Sequence, residues 1–245
     1  MDFRRVTATN PENNCTHYNR MCLRKLSAEK KLPVVQIQAE HQGVCQDEGL
    51  NLDDETFNQL PALLEVAEEA RIILLHNLHV AHGLMNGTQG VVKKIIYPKD
   101  GNPNHEIAAL RMPDCILVDF PQYEGPAFFQ EPTKRTWVPL FPRSISGSSS
   151  KDVTRRQFPI VLGWALTPWK AQGLTLSKSV VKLGKAISDP GVLFVALSRV
   201  QHPDNLMLDD DFPAFSIIMK QARNANFKTR QNWEKVARRK FCRTI

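Results

Sequence analysis

Residues 158 to 166 read FPIVLGWAL, a run of large apolar side chains interrupted only by small residues and a proline. A strand with one wet face alternates apolar and polar residues, so a continuous run asks for cover on both faces. Strands of that kind belong to parallel sheets flanked by helices. SVVKLG (179–184) and NLML (205–208) read as two more, with ISDPGVLFVALSRV (187–200) as the helix between them. Asp189 can cap that helix, Pro190 takes its first position, and Val192, Val195 and Ala196 share a face, which puts Arg199 near its end. At the other end of the chain FRRVTA (3–8) is a short strand. A helix follows, with Thr9 or Asn10 as N-cap, Pro11 first, and Cys15, Tyr18, Cys22 and Leu26 on one face. The pattern predicts an α/β fold, in which the strand-to-helix turns lie at the carboxyl ends of the strands, where ligands bind.

From Arg71 to Arg143 the pattern changes. RIILLHN, TQGVVKKIIYP, HEIAALRM, CILVDF and RTWVPLF are each of strand length and bounded by Gly, Pro or Asn, with tight-turn signals at Asn86-Gly87 and Asp100-Gly101. Five short strands with tight turns predict a small barrel, and RSISGSSSKD (143–152) a flexible connection out of it. The expected organisation is an α/β body in two segments, 1–69 and 159–222, an insert at 70–158 and a tail at 223–245.

Charge is unevenly spread. The tail holds eight basic residues against Glu234, and so carries the whole formal net charge of +7. Phe227, Trp233, Val236, Ala237 and Phe241 fall near one helical side of it, so it reads either as a helix packed on the body or as a basic arm along a polyanion. Glu40 to Glu69 is the opposite, an acidic belt with no Lys or Arg inside it. The five cysteines (15, 22, 45, 115 and 242) have no paired spacing and suit free thiols better than a disulfide framework. The sequence has no apolar stretch long enough to span a membrane and no leader pattern at Met1–Arg20, so an intracellular protein is expected.

The loop TPWKAQG after the apolar run carries a cation, an amide and a residue without Cβ, the parts that phosphate contact requires. Taken alone, a K-x-Q-G sequence reads equally as a solvated lysine beside a turn. Arg199 follows in VALSRV behind an almost wholly apolar segment. It is placed either to stabilise charge on a transferring phosphate or to pair with a neighbouring carboxylate.

TATNPENNCTHYN, RIILLHNLHVAHGLMNGTQGVV, CILVDFPQYEGP, FPIVLGWALTPWKAQGLTL and GVLFVALSRV, in this order, resemble the C-terminal half of the Pif-type (petite integration frequency) DNA helicases. They equally resemble the related helicase domain of Helitron transposons. These are superfamily-one enzymes of the RecD group, and the resemblance covers about residues 5 to 220. It implies a RecA-like domain of the P-loop NTPase type, the second helicase domain without its own P-loop, with an SH3-like β-barrel inserted. It also implies ATP- and Mg²⁺-driven movement 5′ to 3′ on single-stranded DNA, in DNA unwinding for recombination, repair or transposition. By the same resemblance Thr9 and Asn10 match the fourth helicase motif. Thr167 and Lys170 match the DNA-facing part of the fifth, with Trp169 and Thr175 beside them, and Gln172 and Gly173 match its nucleotide-linked end. Arg199 matches the arginine finger of the sixth, and Asn86, Gly87 and Gly90 the barrel's NGTxG turn. The family has a histidine where Trp169 stands. A tryptophan there can stack on a base or fill the core.

One part of such an enzyme is missing from the sequence. No GxxxxGK[ST] occurs; Gly184-Lys185-Ala186 lacks both the upstream glycine and the hydroxyl, and Asp47-Glu48 is a poor candidate for the acidic metal motif. The expectation is therefore the C-terminal part of a helicase whose other RecA-like domain, in cis or in trans, holds most of the ATP and Mg²⁺. Such a chain is inactive alone. The alternatives are a non-catalytic single-stranded nucleic-acid-binding module and an inert transposon-derived remnant. No membrane partner and no metal site are expected: His76, His79 and His82 read as loop histidines, and His17 points away from Cys15 and Cys22. The nucleus is expected ahead of the mitochondrion.

Overall fold

The computed structural model describes residues 4–7, 11–98, 112–148, 152–182, 190–209, 216, 229 and 231–235. They fall into two compact units, Met1–Thr16 with Ala165–Ile245, and His17–Trp164.

In the first unit four strands lie parallel in the order Ala165–Leu166, Arg4–Thr7, Ser179–Lys182, Leu206–Leu208. Val6 stands between Leu166 and Val181 and is fully buried. Parallel neighbours need a crossover, and the helix Pro190–Leu197 lies in the one between the last two strands, with Pro190 first as the sequence predicts. Its buried residues are Leu193 and Ala196; Val192 and Val195 are half-buried. Asp189 lies outside the described residues.

The run FPIVLGWAL is not one strand. Ile160–Leu162 pairs antiparallel with Arg71–Leu74, while Ala165–Leu166 joins the parallel sheet. Gly163, whose N–H donates to the Arg71 carbonyl at 2.9 Å, ends the first pairing. Each half is the edge strand of its sheet, and the sheets are different; Ile160, Ala165 and Leu166 are buried there.

The second unit contains an antiparallel five-stranded sheet, in the order Ile160–Leu162, Arg71–Leu74, Gln89–Ile96, Cys115–Asp119, Trp137–Leu140. Its core is built around Ile72, Leu74, Val92, Ile116, Val118 and Leu140. Gly90 is required by packing, since a Cβ there would come within 2.5 Å of Val118 Cγ1 and 2.8 Å of Phe120. The expected strand HEIAALRM lies, up to Arg111, outside the described residues. The helix Pro11–Lys30 starts at Pro11 as expected, but its buried positions are Cys15, Asn19 and Leu23, one residue round from the predicted stripe. Asn19 accounts for the offset, because its Nδ2 donates to the Leu162 carbonyl at 3.3 Å inside the second unit.

The connection expected at 143–152 begins as a strand. Arg143–Ser146 forms an antiparallel hairpin with Thr154–Gln157, which also pairs with Glu40–Gln42. Its side chains are mostly exposed, so no apolar alternation announced it.

Arg155, in the middle of that hairpin, is fully buried. Its Nη1 donates to Asp54 Oδ1 at 2.5 Å and to the Leu60 carbonyl at 2.8 Å. Nη2 donates to the carbonyls of Gly49 at 3.0 Å and Leu52 at 2.7 Å, and Nε to His41 Nε2 at 2.9 Å. All five N–H groups are thereby used, and the guanidinium lies 4.3 Å from the Phe57 ring centroid. The acidic belt is in part the socket for an arginine delivered from about a hundred residues away. Arg155→Met should lower stability to urea by roughly 3 kcal/mol, because Asp54 and three carbonyls lose their donor; an unchanged midpoint would show the socket to be dispensable.

Burial and the Arg155 charge push the His41 imidazole below its ordinary value of about 6.5. Protonation would also turn Nε2 from an acceptor into a second donor facing Arg155. The unfolded chain therefore binds this proton more readily than the native one. Stability is present above about pH 6.5 and is lost as pH falls through 6.5 toward the depressed native value. Urea midpoints at about pH 7.5 and about pH 5.5 should differ in the wild type and converge in His41→Gln, which keeps an acceptor without titrating in that window.

Candidate nucleic-acid and nucleotide site

The loop at the end of Ala165–Leu166 is built by local rules. Thr167 has extended backbone and its Oγ1 accepts from the Lys170 N–H at 3.3 Å, Pro168 takes the first helical position, and the single turn Pro168–Ala171 follows. Gly173 has φ +81°, and no atom lies within 4 Å of where its Cβ would be, so the turn needs glycine for its backbone while its surroundings stay open. Ala171 and Leu176 are buried and pin the loop; Trp169, Lys170, Gln172, Gly173 and Thr175 are exposed. Trp169 is 58% exposed, which overturns its reading as a core residue.

Arg199 lies two residues beyond the end of the helix Pro190–Leu197 and is seated against this loop. Its Nε donates to the Val195 carbonyl and its Nη2 to Ser198 Oγ, each at 2.7 Å. Its Nη1 makes longer contacts with the carbonyls of Ala171 at 3.5 Å and Leu174 at 3.4 Å. The Leu176 N–H donates to the Arg199 carbonyl at 2.8 Å, which ties the loop and the arginine together through the backbone as well. Every acceptor is neutral. Among the described residues Arg199 has no carboxylate partner, so the ion-pair reading of it is overturned. The seat fixes the guanidinium without cancelling its charge.

No family model matches the sequence. Against curated proteins, the chain is 34% identical over 180 residues to the ATP-dependent DNA helicase PIF6 of Trypanosoma brucei brucei, covering 73% of this chain and 20% of that protein. It is 25% identical over 201 residues to the human ATP-dependent DNA helicase PIF1, covering 81% of this chain and 27% of the relative. Its fold matches the crystal structure of Pif1 helicase from Candida albicans with a TM-score of 0.68 at 23% identity, over 96% of this chain and 50% of that one. The chain belongs to the Pif1-type helicase family. The α/β architecture is accordingly that of Pif1 helicases, RecA-like in type. The chain spans about a fifth to a quarter of the length of these curated relatives.

Thus Thr167, Lys170, Gln172, Gly173, Trp169 and Thr175 belong to one loop segment of this Pif1-type chain, and Arg199 is bonded to that segment. Thr9 and Asn10 lie outside the described residues. Asn86, Gly87 and Gly90 are in the other unit, where they shape a turn: the Asn86 N–H donates to Asn77 Oδ1 and the Gly87 N–H to the Leu74 carbonyl, each at 2.8 Å. Thr88 of the same motif is buried, its Oγ1 donating to the Gly83 carbonyl at 2.9 Å. Sequence reasoning missed Phe194, 71% exposed on the helix that leads to Arg199; an apolar residue in an apolar helix carries no sign of its direction. Among the described residues no three His, Cys, Asp or Glu side chains are grouped to hold a metal ion, and no helix is long and apolar enough to cross a membrane.

Gly173→Ala should cost about 1 kcal/mol, the strain of a left-handed alanine in open space. Gly90→Ala, which collides with packed side chains, should cost up to about 3 kcal/mol. Equal urea midpoints for the two variants would contradict this assignment of their roles.

Proposed function

We propose that this chain acts as the second RecA-like part of an ATP-dependent 5′-3′ DNA helicase, supplying a single-stranded DNA contact surface and an arginine finger. The observation that carries the reading is the uncompensated Arg199 guanidinium seated on the carbonyls of a loop whose Trp169, Lys170 and Thr175 side chains are exposed. Thr167 positions that loop, and Thr9 and Asn10 are assigned to DNA by their match to the family's fourth motif. Trp169 offers a ring face for a base and Lys170 a charge for the backbone. Gln172 and Gly173 face the nucleotide. Two solved relatives of the same fold support the choice of ligands: a Bacteroides Pif1 bound to single-stranded DNA (TM-score 0.53, 18% identity, 94% of this chain and 46% of that one), and a Bacteroides Pif1 in complex with ADP-AlF4 (TM-score 0.51, 18% identity, 89% and 42%).

The residues fit one edge of an ATP site and no more. Arg199 has the charge to meet a γ-phosphate, and four of its five N–H groups are held by neutral acceptors, two of them at a distance easily given up. The sequence has no P-loop to cradle phosphates and no carboxylate motif for Mg²⁺. ATP, when bound, supplies the free energy of phosphoanhydride cleavage; this chain's part is to present Arg199 and to hold DNA. The P-loop and the Mg²⁺ ligands come from another RecA-like domain, in cis or in trans. In this reading the antiparallel sheet of residues 17–164 contains the SH3-like insert, and the protein works where DNA is kept, in the nucleus ahead of the mitochondrion. A second reading is a non-catalytic single-stranded nucleic-acid binder or a transposon-derived remnant, favoured by the exposed Trp169 and Lys170, which can bind nucleic acid without phosphoryl transfer.

The chain alone should bind a labelled oligothymidine without hydrolysing ATP, and Trp169→Ala should weaken binding by about 1–3 kcal/mol while Arg199→Ala leaves it unchanged. Mixed with a P-loop-bearing helicase domain, it should support DNA-stimulated hydrolysis that falls about a thousandfold or more in Arg199→Ala. DNA-stimulated turnover by the chain alone would overturn the assignment of phosphate binding to another domain, and turnover by the mixture that is indifferent to Arg199→Ala would overturn the arginine's role.

A further inference from the structure

The unit of residues 17–164 has a free sheet edge that the proposed function does not use. Among the described residues the strand Val35–Gln38 pairs antiparallel with Leu63–Val66 and with no other strand. The Ala39 N–H donates to the Ala62 carbonyl at 2.8 Å, in continuation of the same register. Alternate residues of an antiparallel ladder share that direction, so Val35 and Ile37 also bond toward Leu63–Val66. Gln36 and Gln38 therefore turn their backbone N–H and C=O outward, where no backbone partner meets them among the described residues. Natural edges are blunted by lysine, proline or a bulge, and Val35–Gln38 has none of these.

Positive charge flanks the edge. Arg20, Leu23 and Arg24 of the helix Pro11–Lys30, with Val34, Gln36 and Glu65, line a cavity of about 230 Å³. Glu65 is the one carboxylate in that lining, and it is already held by Arg20 Nε and by Gln36 Nε2 at 3.2 Å. Arg24 is exposed and has no carboxylate partner among the described residues. The cavity is left with one guanidinium in excess. On the opposite face of the same strand Val35 and Ile37 lie with Leu64 and Val66 against the core. A strand added along Gln36 and Gln38 would lay alternate side chains beside the cavity and beside the apolar face. The first position suits an anion and the second an apolar group. A nucleic-acid backbone offers the anion but no row of N–H groups to meet the outward carbonyls.

We propose that Val35–Gln38 is a docking edge for an extended segment of a protein partner that alternates acidic and apolar residues, adds a strand along Gln36 and Gln38, and sets a carboxylate against Arg24. The edge is independent of the Arg199 loop and of any part this chain takes in ATP hydrolysis.

The test uses the full chain and a fluorescein-labelled peptide of about eight residues alternating aspartate and valine. Binding should slow hydrogen exchange at residues 35–38 about tenfold or more, because the outward amides of Gln36 and Gln38 gain acceptors. Arg24→Glu should weaken binding about tenfold or more, and because Arg24 is exposed its urea midpoint should stay that of the parent. The peptide N-methylated at every residue should not bind, which tests the backbone ladder with the parent protein and needs no variant to fold. Absence of binding, equal binding by the N-methylated peptide, or protection confined to residues 63–66 would overturn the docking edge. Protection of residues 35–38 by an oligothymidine that also displaces the peptide would overturn it as well, and would give Arg24 to phosphate instead. None of these outcomes bears on whether Arg199→Ala abolishes hydrolysis, so the two proposals fail separately.

Discussion

Among the described residues Arg155 is the one charged side chain fully enclosed by protein, and the arrangement of residues 40 to 60 depends on it. That segment has little regular structure: a three-residue strand, a short helix and a single 3-10 turn. Its carbonyls at Gly49, Leu52 and Leu60 point inward, where unmet they would be costly, and the guanidinium meets all three while Asp54 balances its charge. Gln157, two residues further along the strand, repeats the device on a smaller scale, its Nε2 donating to the Ile37 carbonyl at 2.9 Å. The strand Thr154–Gln157 thus fastens irregular backbone through Arg155 and the strand Val35–Gln38 through Gln157.

Arg155 and Arg199 are a controlled comparison within one molecule. Both guanidiniums rest on backbone carbonyls, but only Arg155 has a carboxylate, and only Arg155 is closed off from solvent. A paired, enclosed arginine holds structure together. An arginine held by neutral acceptors and left half-exposed keeps its field available to an anion. That difference separates a guanidinium spent on structure from one still open to an anion.

The residues that sequence reasoning read correctly are those governed by local rules. Pro11 and Pro190 each open a helix where the first-position rule puts them. The strands at 4–7, 179–182 and 206–208 stand where their short β-prone runs predict them. What escaped depended on partners distant in sequence. TRRQ looks like a wet strand, and nothing near it says that Arg155 turns inward toward residues 40 to 60. FPIVLGWAL signals burial but not that its two halves enter different sheets, and the helix Pro11–Lys30 turns by one residue to place Asn19 against Leu162. Trp169 was ambiguous for the same reason, since the preference of a large ring for the interior is an average and this loop stands clear of it.

The parallel sheet draws its neighbouring strands Arg4–Thr7 and Ala165–Leu166 from either side of the whole unit of residues 17–164. On a ribosome the first of these strands therefore waits for its neighbours at 165–166 and 179–182 until the intervening unit has been synthesised. If that unit folds as soon as it is complete, the closure entropy that a floppy loop of the same length would cost is greatly reduced. The insert is then more than a passenger in the fold: it is the internal template that lets the strand ahead of it find those that follow it.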